Sequence, residues 1–158
     1  MKILIVGYGL IADELVKFDS TNQFYGIKRS IDRNRPNLKL YEGNYTKGLD
    51  SQILKLLPEV ILFFPKTIGT SLDEYKKAYL EPLEFFQKNF QNSFKVFISS
   101  TRVFKGYANV SVDERTEPLP IDEQGCIIYQ YEKIALSLNN SYLPVSYTHL
   151  RAHETLAD

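Results

Sequence analysis

The sequence is poor in the residues that build disulfides and metal sites. Its 158 residues include one cysteine, Cys126, and two histidines, His149 and His153. A single thiol cannot form an intrachain disulfide, and this set is too small for a typical zinc centre. We therefore expect no metal site, and the lone cysteine favours the reducing cytoplasm as the location.

The sequence also lacks net charge and long apolar runs. Lysine plus arginine and aspartate plus glutamate both number 19, so no overall charge attracts the chain to nucleic acid or to an anionic membrane. The apolar run over residues 3–6 is too short for a signal peptide or a membrane span. We expect a protein without nucleic-acid or membrane partners, and a length of this kind fits one domain.

Short apolar strands are what the sequence does contain. Residues 3–6 form a continuous aliphatic run, typical of a strand buried on both faces of a parallel sheet. Similar patterns predict strands over residues 23–27, 38–41, 60–64 and 95–98.

Helical patterns separate these strands. Apolar spacing predicts helices over residues 10–18, 49–57, 71–90 and 127–138, with a loop over 110–123. Ser71 and Glu74 fit a capping box, and Pro82 predicts a kink or a break. Strands and helices in this order predict a doubly wound α/β parallel sheet of the Rossmann type, incomplete at the C-terminus.

A glycine turn follows the first strand directly. Residues 7–12 fit the pattern G-x-G-x-x-G/A, in which the glycines allow a tight turn and the close approach of a pyrophosphate. The helix that starts here would stabilise the phosphate charge. The pattern predicts a nicotinamide dinucleotide site that comprises Gly7, Tyr8, Gly9, Leu10, Ile11 and Ala12.

The end of the second strand favours NADP. NAD sites usually place an acidic residue here to bind the ribose hydroxyls, but the sequence reads Lys28-Arg29-Ser30. These residues could hold a 2′-phosphate. Asp32 lies close enough to keep NAD as the alternative.

A second block carries a family resemblance. Residues 96–106 read VFISSTRVFKG, and Val112-Asp113-Glu114 and Pro118 follow. In these features and in the glycine turn, residues 1–143 resemble the extended and atypical short-chain dehydrogenase/reductases. That group includes the NAD-dependent epimerase/dehydratases of nucleotide sugars and the dTDP-4-dehydrorhamnose reductases.

The resemblance implies a catalytic set. A serine or threonine after the fifth strand binds the substrate oxygen in that family, which points to Ser100, with Thr101 as its neighbour. The family's tyrosine is the general acid/base, and a lysine four residues later lowers its pKa. Tyr129 and Lys133 have this spacing, which places both on one face of a helix.

A second register of the last helix competes with this assignment. Family members commonly read Tyr-Gly-x-x-Lys, with a glutamate eight residues after the tyrosine. Matching Gly125 and Glu132 to that pattern puts Gln124 at the tyrosine position and Ile128 at the lysine position. In this register the dyad is lost.

The resemblance implies an NAD(P)-dependent oxidoreductase or epimerase that acts on a carbonyl or nucleotide-sugar substrate. The alternative is a redox sensor or regulatory protein that binds NAD(P)H without turnover. A third reading, a flavin- or methyl-donor-dependent protein, uses the same glycine turn. The sequence leaves a homodimer of the full-length protein open.

The C-terminal tail has a different origin in this interpretation. Residues 145–155, VSYTHLRAHET, resemble the translation of a transposase adapter used in DNA library preparation. We therefore expect a Rossmann domain over residues 1–143 and a non-native tail over 144–158. Both histidines lie in this tail, and the natural protein would be truncated near Leu143–Pro144. The fragment itself would then bind its cofactor weakly and turn over no substrate.

Overall fold

A computed structural model describes residues 1–32, 35–113 and 115–144. The strands in these ranges are β1 (Lys2–Val6), β2 (Gln23–Lys28), β3 (Leu38–Glu42), β4 (Val60–Phe63), β5 (Phe94–Phe97) and β6 (Ser141–Tyr142). They form one sheet in the order β3-β2-β1-β4-β5-β6, and each neighbouring pair is parallel. This is the strand order of a doubly wound α/β sheet, so the predicted fold class is confirmed.

Within the described ranges, five α-helices connect or follow the strands. They are α1 (Leu10–Phe18), α2 (Ser51–Leu54), α3 (Leu72–Tyr75), α4 (Glu81–Asn89) and α5 (Glu123–Ser137). Two 3-10 helices cover Tyr45–Lys47 and Thr101–Tyr107, and a π-helical turn covers Lys76–Leu80. None of the helices in the described ranges is long and apolar enough to cross a membrane.

The central strand β1 separates two apolar layers. Ile3 and Ile5 belong to the layer on the α1 side, which also contains Ala12, Val16 and Phe24. The neighbouring positions, Leu4 and Val6, point to the opposite layer because side chains alternate along a strand. That layer is aromatic and is supplied mainly by β4, β5, α4 and α5, through Phe63, Phe97, Phe86 and Tyr131.

The predicted long helix over 71–90 is interrupted. Ser71 and Glu74 form the predicted capping box at the start of α3. The π turn precedes Pro82, which has no N–H to donate to the carbonyl of Ala78. The hydroxyl of Tyr45 donates to that carbonyl instead, at 3.3 Å, and burial raises the pKa of Tyr45 to about 12, so the phenol stays protonated.

Other elements differ from the sequence prediction in length. The helix predicted over 49–57 is only the four residues of α2. Asp50 is extended and caps the start by accepting a hydrogen bond from the Gln52 N–H, and Leu57 beyond the end has a φ of 47°, outside the helical range. The last helix starts at Glu123 because Asp122 caps it by accepting a hydrogen bond from the Gly125 N–H. The tail over residues 145–158, with both histidines, lies outside the described residues.

Candidate functional site

The glycine turn lies at the carboxyl end of β1. Gly7 has a φ of 84°, and a Cβ there would lie 2.1 Å from the carbonyl oxygen of Phe64. Only glycine fits this position, because both the backbone angle and the neighbouring strand end exclude a side chain.

Gly9, two residues later, has no such internal constraint. It caps α1 with extended backbone, and a Cβ there would meet only the Gly7 carbonyl oxygen, at 3.9 Å. Leu10 is exposed beside it, Ile11 is half-buried, and Ala12 is buried against the sheet. The space over Gly9 and the α1 N-terminus is thus open to a ligand, and Ala12 allows the helix to pack closely.

A cleft of about 330 Å³ opens beside this turn. Its walls come from the carboxyl ends of β1 to β4 and are lined by Gly7, Tyr8, Ile27, Lys28, Arg29, Ser30, Gly43, Asn44, Tyr45, Lys66 and Ile68. Ligands of doubly wound sheets bind at this edge, where the strand order reverses. The structure therefore brings the glycine turn and the predicted Lys28-Arg29-Ser30 segment to one cleft.

The cations of the cleft differ in their partners. Lys28 forms an ion pair with Asp32, with 2.5 Å between Nζ and Oδ1. Arg29 and Lys66 have no acidic partner among the described residues. These two are the cations available to an anionic ligand. Lys66 was not predicted from the sequence, although its place in the short segment after β4 could have indicated it.

Tyr8 contributes to the cleft in an unexpected way. Its side chain is buried behind the turn, where the hydroxyl donates to Asp13 Oδ1 at 3.0 Å. Arg35 binds the same carboxylate through Nε and Nη2, at 3.3 and 3.0 Å. Hydrogen bonding to Asp13 raises the pKa of Arg35.

Two serines at the end of β5 have different surroundings. Ser99 is buried and its hydroxyl donates to Glu132 of α5. Desolvation raises the pKa of Glu132, and this hydrogen bond opposes the shift. Ser100 accepts a hydrogen bond from the Arg102 N–H at 3.3 Å, which leaves its hydroxyl hydrogen without an acceptor among the described residues.

The two registers of α5 occupy different faces of the helix. Lys133 Nζ lies 4.2 Å from the centre of the Tyr129 ring, so the structure brings this predicted pair together. Among the described residues, no hydrogen bond or ion pair joins either of them to Ser100. Ile128 is buried in the core, whereas Gln124 lies in the first turn of the helix and donates to the Thr70 carbonyl oxygen at 3.1 Å.

A polar cluster surrounds Gln124. Arg102 donates through Nε to both carboxylate oxygens of Asp122, and its Nη2 forms an ion pair with Asp122 Oδ2 at 3.0 Å. Nη2 also donates to Gln124 at 3.3 Å, and Nη1 donates to the Tyr75 hydroxyl at 3.4 Å. Lys105 donates to Asp122 at 2.7 Å. These hydrogen bonds hold the pKa of Asp122 well below its usual range. No single motif of the sequence indicates this cluster, because its members are spread over three elements.

Comparisons with known proteins rest on solved structures alone. No family model and no curated protein matches the chain. MoeE5 in complex with UDP-glucuronic acid and NAD superposes with a TM-score of 0.71 at 19% identity, over 92% of this chain and 52% of that one. A UDP-glucuronic acid 4-epimerase variant from Bacillus cereus, in complex with NAD and a fluorinated sugar nucleotide, gives 0.69 at 18% identity, over 92% and 55%.

A third structure gives the same result. The dTDP-glucose 4,6-dehydratase from Bacillus anthracis, in complex with NAD, superposes with a TM-score of 0.64 at 19% identity, over 87% of this chain and 50% of that one. The chain spans about half the length of the solved structures it matches. In those residues it has the fold of these epimerase and dehydratase structures.

Proposed function

We propose that the chain is the nicotinamide-dinucleotide-binding part of an oxidoreductase or epimerase of the short-chain dehydrogenase type. The observation that carries the proposal is the cleft at the carboxyl edge of the sheet, where Gly7 and Tyr8 of the glycine turn share the lining with Arg29 and Lys66. The solved structures with this fold that contain NAD support it. The substrate class is a carbonyl compound or nucleotide sugar, as in the proteins that the chain resembles.

The residues of the cleft fit a dinucleotide. The open space over Gly9 and the first N–H groups of α1 suit a pyrophosphate, because helix N-termini stabilise anions. When bound, a nicotinamide supplies or accepts a hydride at the substrate carbon. Ser100, at the same edge of the sheet, donates its hydroxyl hydrogen to the substrate oxygen in this proposal.

The preference for NADP is the finer part of the proposal. Arg29 and Ser30 follow β2 directly, and Lys66 lines the same cleft from the segment after β4. A guanidinium and a hydroxyl are suitable donors to a phosphate group. Lys28 is held by Asp32, so Arg29 is the principal contact to the 2′-phosphate in this proposal.

Nucleotide titration tests the proposal directly. We expect calorimetry of the chain with NADPH and NADH to show binding of both, with NADPH about tenfold tighter, the equivalent of one charge-assisted contact. Arg29→Gln should remove most of this difference. Lys88→Gln, which removes an exposed cation of α4 outside the cleft, is the matched control and should change neither affinity.

Two results would reject parts of the proposal. A folded chain that binds neither nucleotide contradicts nicotinamide binding itself. Equal affinity for the two nucleotides contradicts the NADP preference alone and favours NAD.

The proton-transfer residue depends on the register of α5, and one variant separates the registers. If Tyr129 and Lys133 form the dyad, Tyr129→Phe in the full-length protein should abolish turnover and keep NADPH binding. If Gln124 and Ile128 take the dyad's positions, the same variant should keep full turnover. The readout is the conversion of the sugar nucleotide, separated by chromatography, because epimerisation and dehydration return the hydride to the sugar and leave no net reduced nicotinamide. UDP-glucuronic acid and dTDP-glucose are the first substrates.

A cytoplasmic location belongs to the same proposal. Its support is the single cysteine, Cys126, which is an exposed free thiol in the structure.

A further inference from the structure

A buried carboxylate lies behind the glycine turn. Asp13 lies in the first turn of α1, and its side chain is only 4% exposed. The two hydrogen bonds from Arg35 reach both of its oxygens, and Tyr8 donates to one of them. A two-point contact of this kind fixes the orientation of the guanidinium as well as its position. Apolar packing does not account for an acidic side chain at a buried helix position.

The segment that carries Arg35 is tied to α1 at a second point. Asn37 donates through Nδ2 to the carbonyl oxygens of Val16 and Asp19, at 3.1 and 2.6 Å. Arg35 also forms an isolated bridge with Leu38 at the start of β3. Residues 35–37 are therefore tied to α1, the helix that follows the glycine turn.

This attachment lies in the same connection between β2 and β3 as the residues proposed to select the cofactor. Arg29 and Ser30 line the cleft directly after β2, and both are exposed. Exposed side chains on a connecting segment have little packing to hold them. Their position relative to the turn then depends on where the segment is anchored further along.

We propose that the Asp13–Arg35 ion pair is a positioning device for cofactor selection, which holds the segment after β2 so that Arg29 and Ser30 face the 2′-phosphate of NADPH. The inference rests on the proposed function, in which Arg29 binds that phosphate. Arg35 acts here through the segment and need not touch the nucleotide.

Two other roles of the pair give different results. If Arg35 acted by its charge alone, removal of Asp13 would leave an unneutralised cation near the cleft and would strengthen NADPH binding. If the pair only supported the fold, its loss would weaken both nucleotides equally. A positioning role instead requires both partners, and its loss affects NADPH far more than NADH.

The experiment compares the ratio of the NADH and NADPH dissociation constants among variants of the chain, measured by calorimetry, with a thermal melt of each variant. Arg35→Gln and Asp13→Asn should both weaken NADPH about tenfold and NADH less than about threefold, as expected when one charged hydrogen-bond contact is lost. Arg35→Lys keeps the charge but not the two-point contact, and should recover only part of the ratio. It also serves as the second variant if Arg35→Gln does not fold.

Matched controls remove the same charges elsewhere. Lys17→Gln takes an exposed cation from α1, where it pairs with Glu14, and Asp73→Asn takes an exposed carboxylate that pairs with Lys77. Neither should change the ratio. The inference is overturned if Asp13→Asn strengthens NADPH binding, or if both nucleotides weaken equally. A wild-type chain that binds neither nucleotide rejects the proposed function and this inference with it.

Discussion

The two glycines of the turn should respond differently to alanine. Gly7→Ala places a Cβ where the backbone has a φ of 84° and where the Phe64 carbonyl oxygen is 2.1 Å away. A left-handed conformation costs a non-glycine residue about 1–2 kcal/mol, and the contact with a backbone oxygen forces a shift of β1 or β4. We expect a loss of at least about 3 kcal/mol from a free energy of unfolding of about 5–15 kcal/mol.

Gly9→Ala should leave the fold almost intact. Its backbone is extended, and the nearest non-neighbouring atom to the new Cβ is 3.9 Å away. Alanine is a poorer N-cap than glycine, so we expect a loss of no more than about 1 kcal/mol. The added methyl group occupies the space proposed for the pyrophosphate, and NADPH affinity should fall by at least about tenfold.

Urea unfolding followed by circular dichroism, together with calorimetry, measures both effects. Gly48→Ala is the control for backbone strain, since Gly48 has a φ of 104° with no atom within 4 Å of its Cβ position. The excess loss in Gly7→Ala over Gly48→Ala then reports the contact with Phe64. If Gly9→Ala is as unstable as Gly7→Ala, or binds NADPH as the wild type does, the reasoning about the turn is wrong.

Two further predictions concern buried and paired carboxylates. Asp122→Asn keeps the cap on α5 but removes the charge that Arg102 and Lys105 stabilise. Because the pKa of Asp122 is lowered in the folded state, this charge stabilises the fold above about pH 4, and the stabilisation is lost as the pH falls further. At neutral pH the wild type should therefore unfold at a higher urea concentration than Asp122→Asn, and the difference in midpoint should be smaller at about pH 3. A difference that does not change with pH contradicts the role of the Asp122 charge. Glu132→Gln should behave oppositely, since desolvation raises the pKa of Glu132 and its ionised form destabilises the fold as the pH rises above about 4. Between about pH 4 and neutral pH, the urea midpoint of Glu132→Gln should rise relative to that of the wild type. A midpoint that falls relative to the wild type would refute the role of desolvation.

The sequence predicted the fold where a single element carries the signal. The apolar spacing after Gly9 predicted α1 over the residues that the structure gives it, 10–18. β1 was one residue short, because Lys2 is exposed at its start and breaks the apolar run. The glycine turn and the Lys28-Arg29-Ser30 segment were predicted as one site because dinucleotide sites place the ribose-binding residue at the end of the second strand, about 20 residues after the glycines.

The remainder depends on contacts between distant residues. Asp13 and Arg35 are 22 positions apart, and Ser99 and Glu132 are 33 apart. The spacing of apolar residues predicts one helix or strand at a time, and it does not predict which side chains of distant elements pair. The short β6 was not predicted from the sequence. It has only two residues, which are too few to show an alternating pattern of apolar side chains. The catalytic residues Ser100, Tyr129 and Lys133 stay predictions.

The geometry of the polar cluster around Gln124 depends on the number of residues in the π turn at Lys76–Leu80. A π turn holds one residue more than the α-helical turn it replaces. Each residue advances a helix by about 100°, so a deletion here would rotate α3 by about that angle relative to α4. Tyr75, whose hydroxyl receives a hydrogen bond from Arg102, would then face another direction. In evolution, the gain or loss of one codon at this turn would therefore change the partner of Arg102 without any substitution at Tyr75 or Arg102.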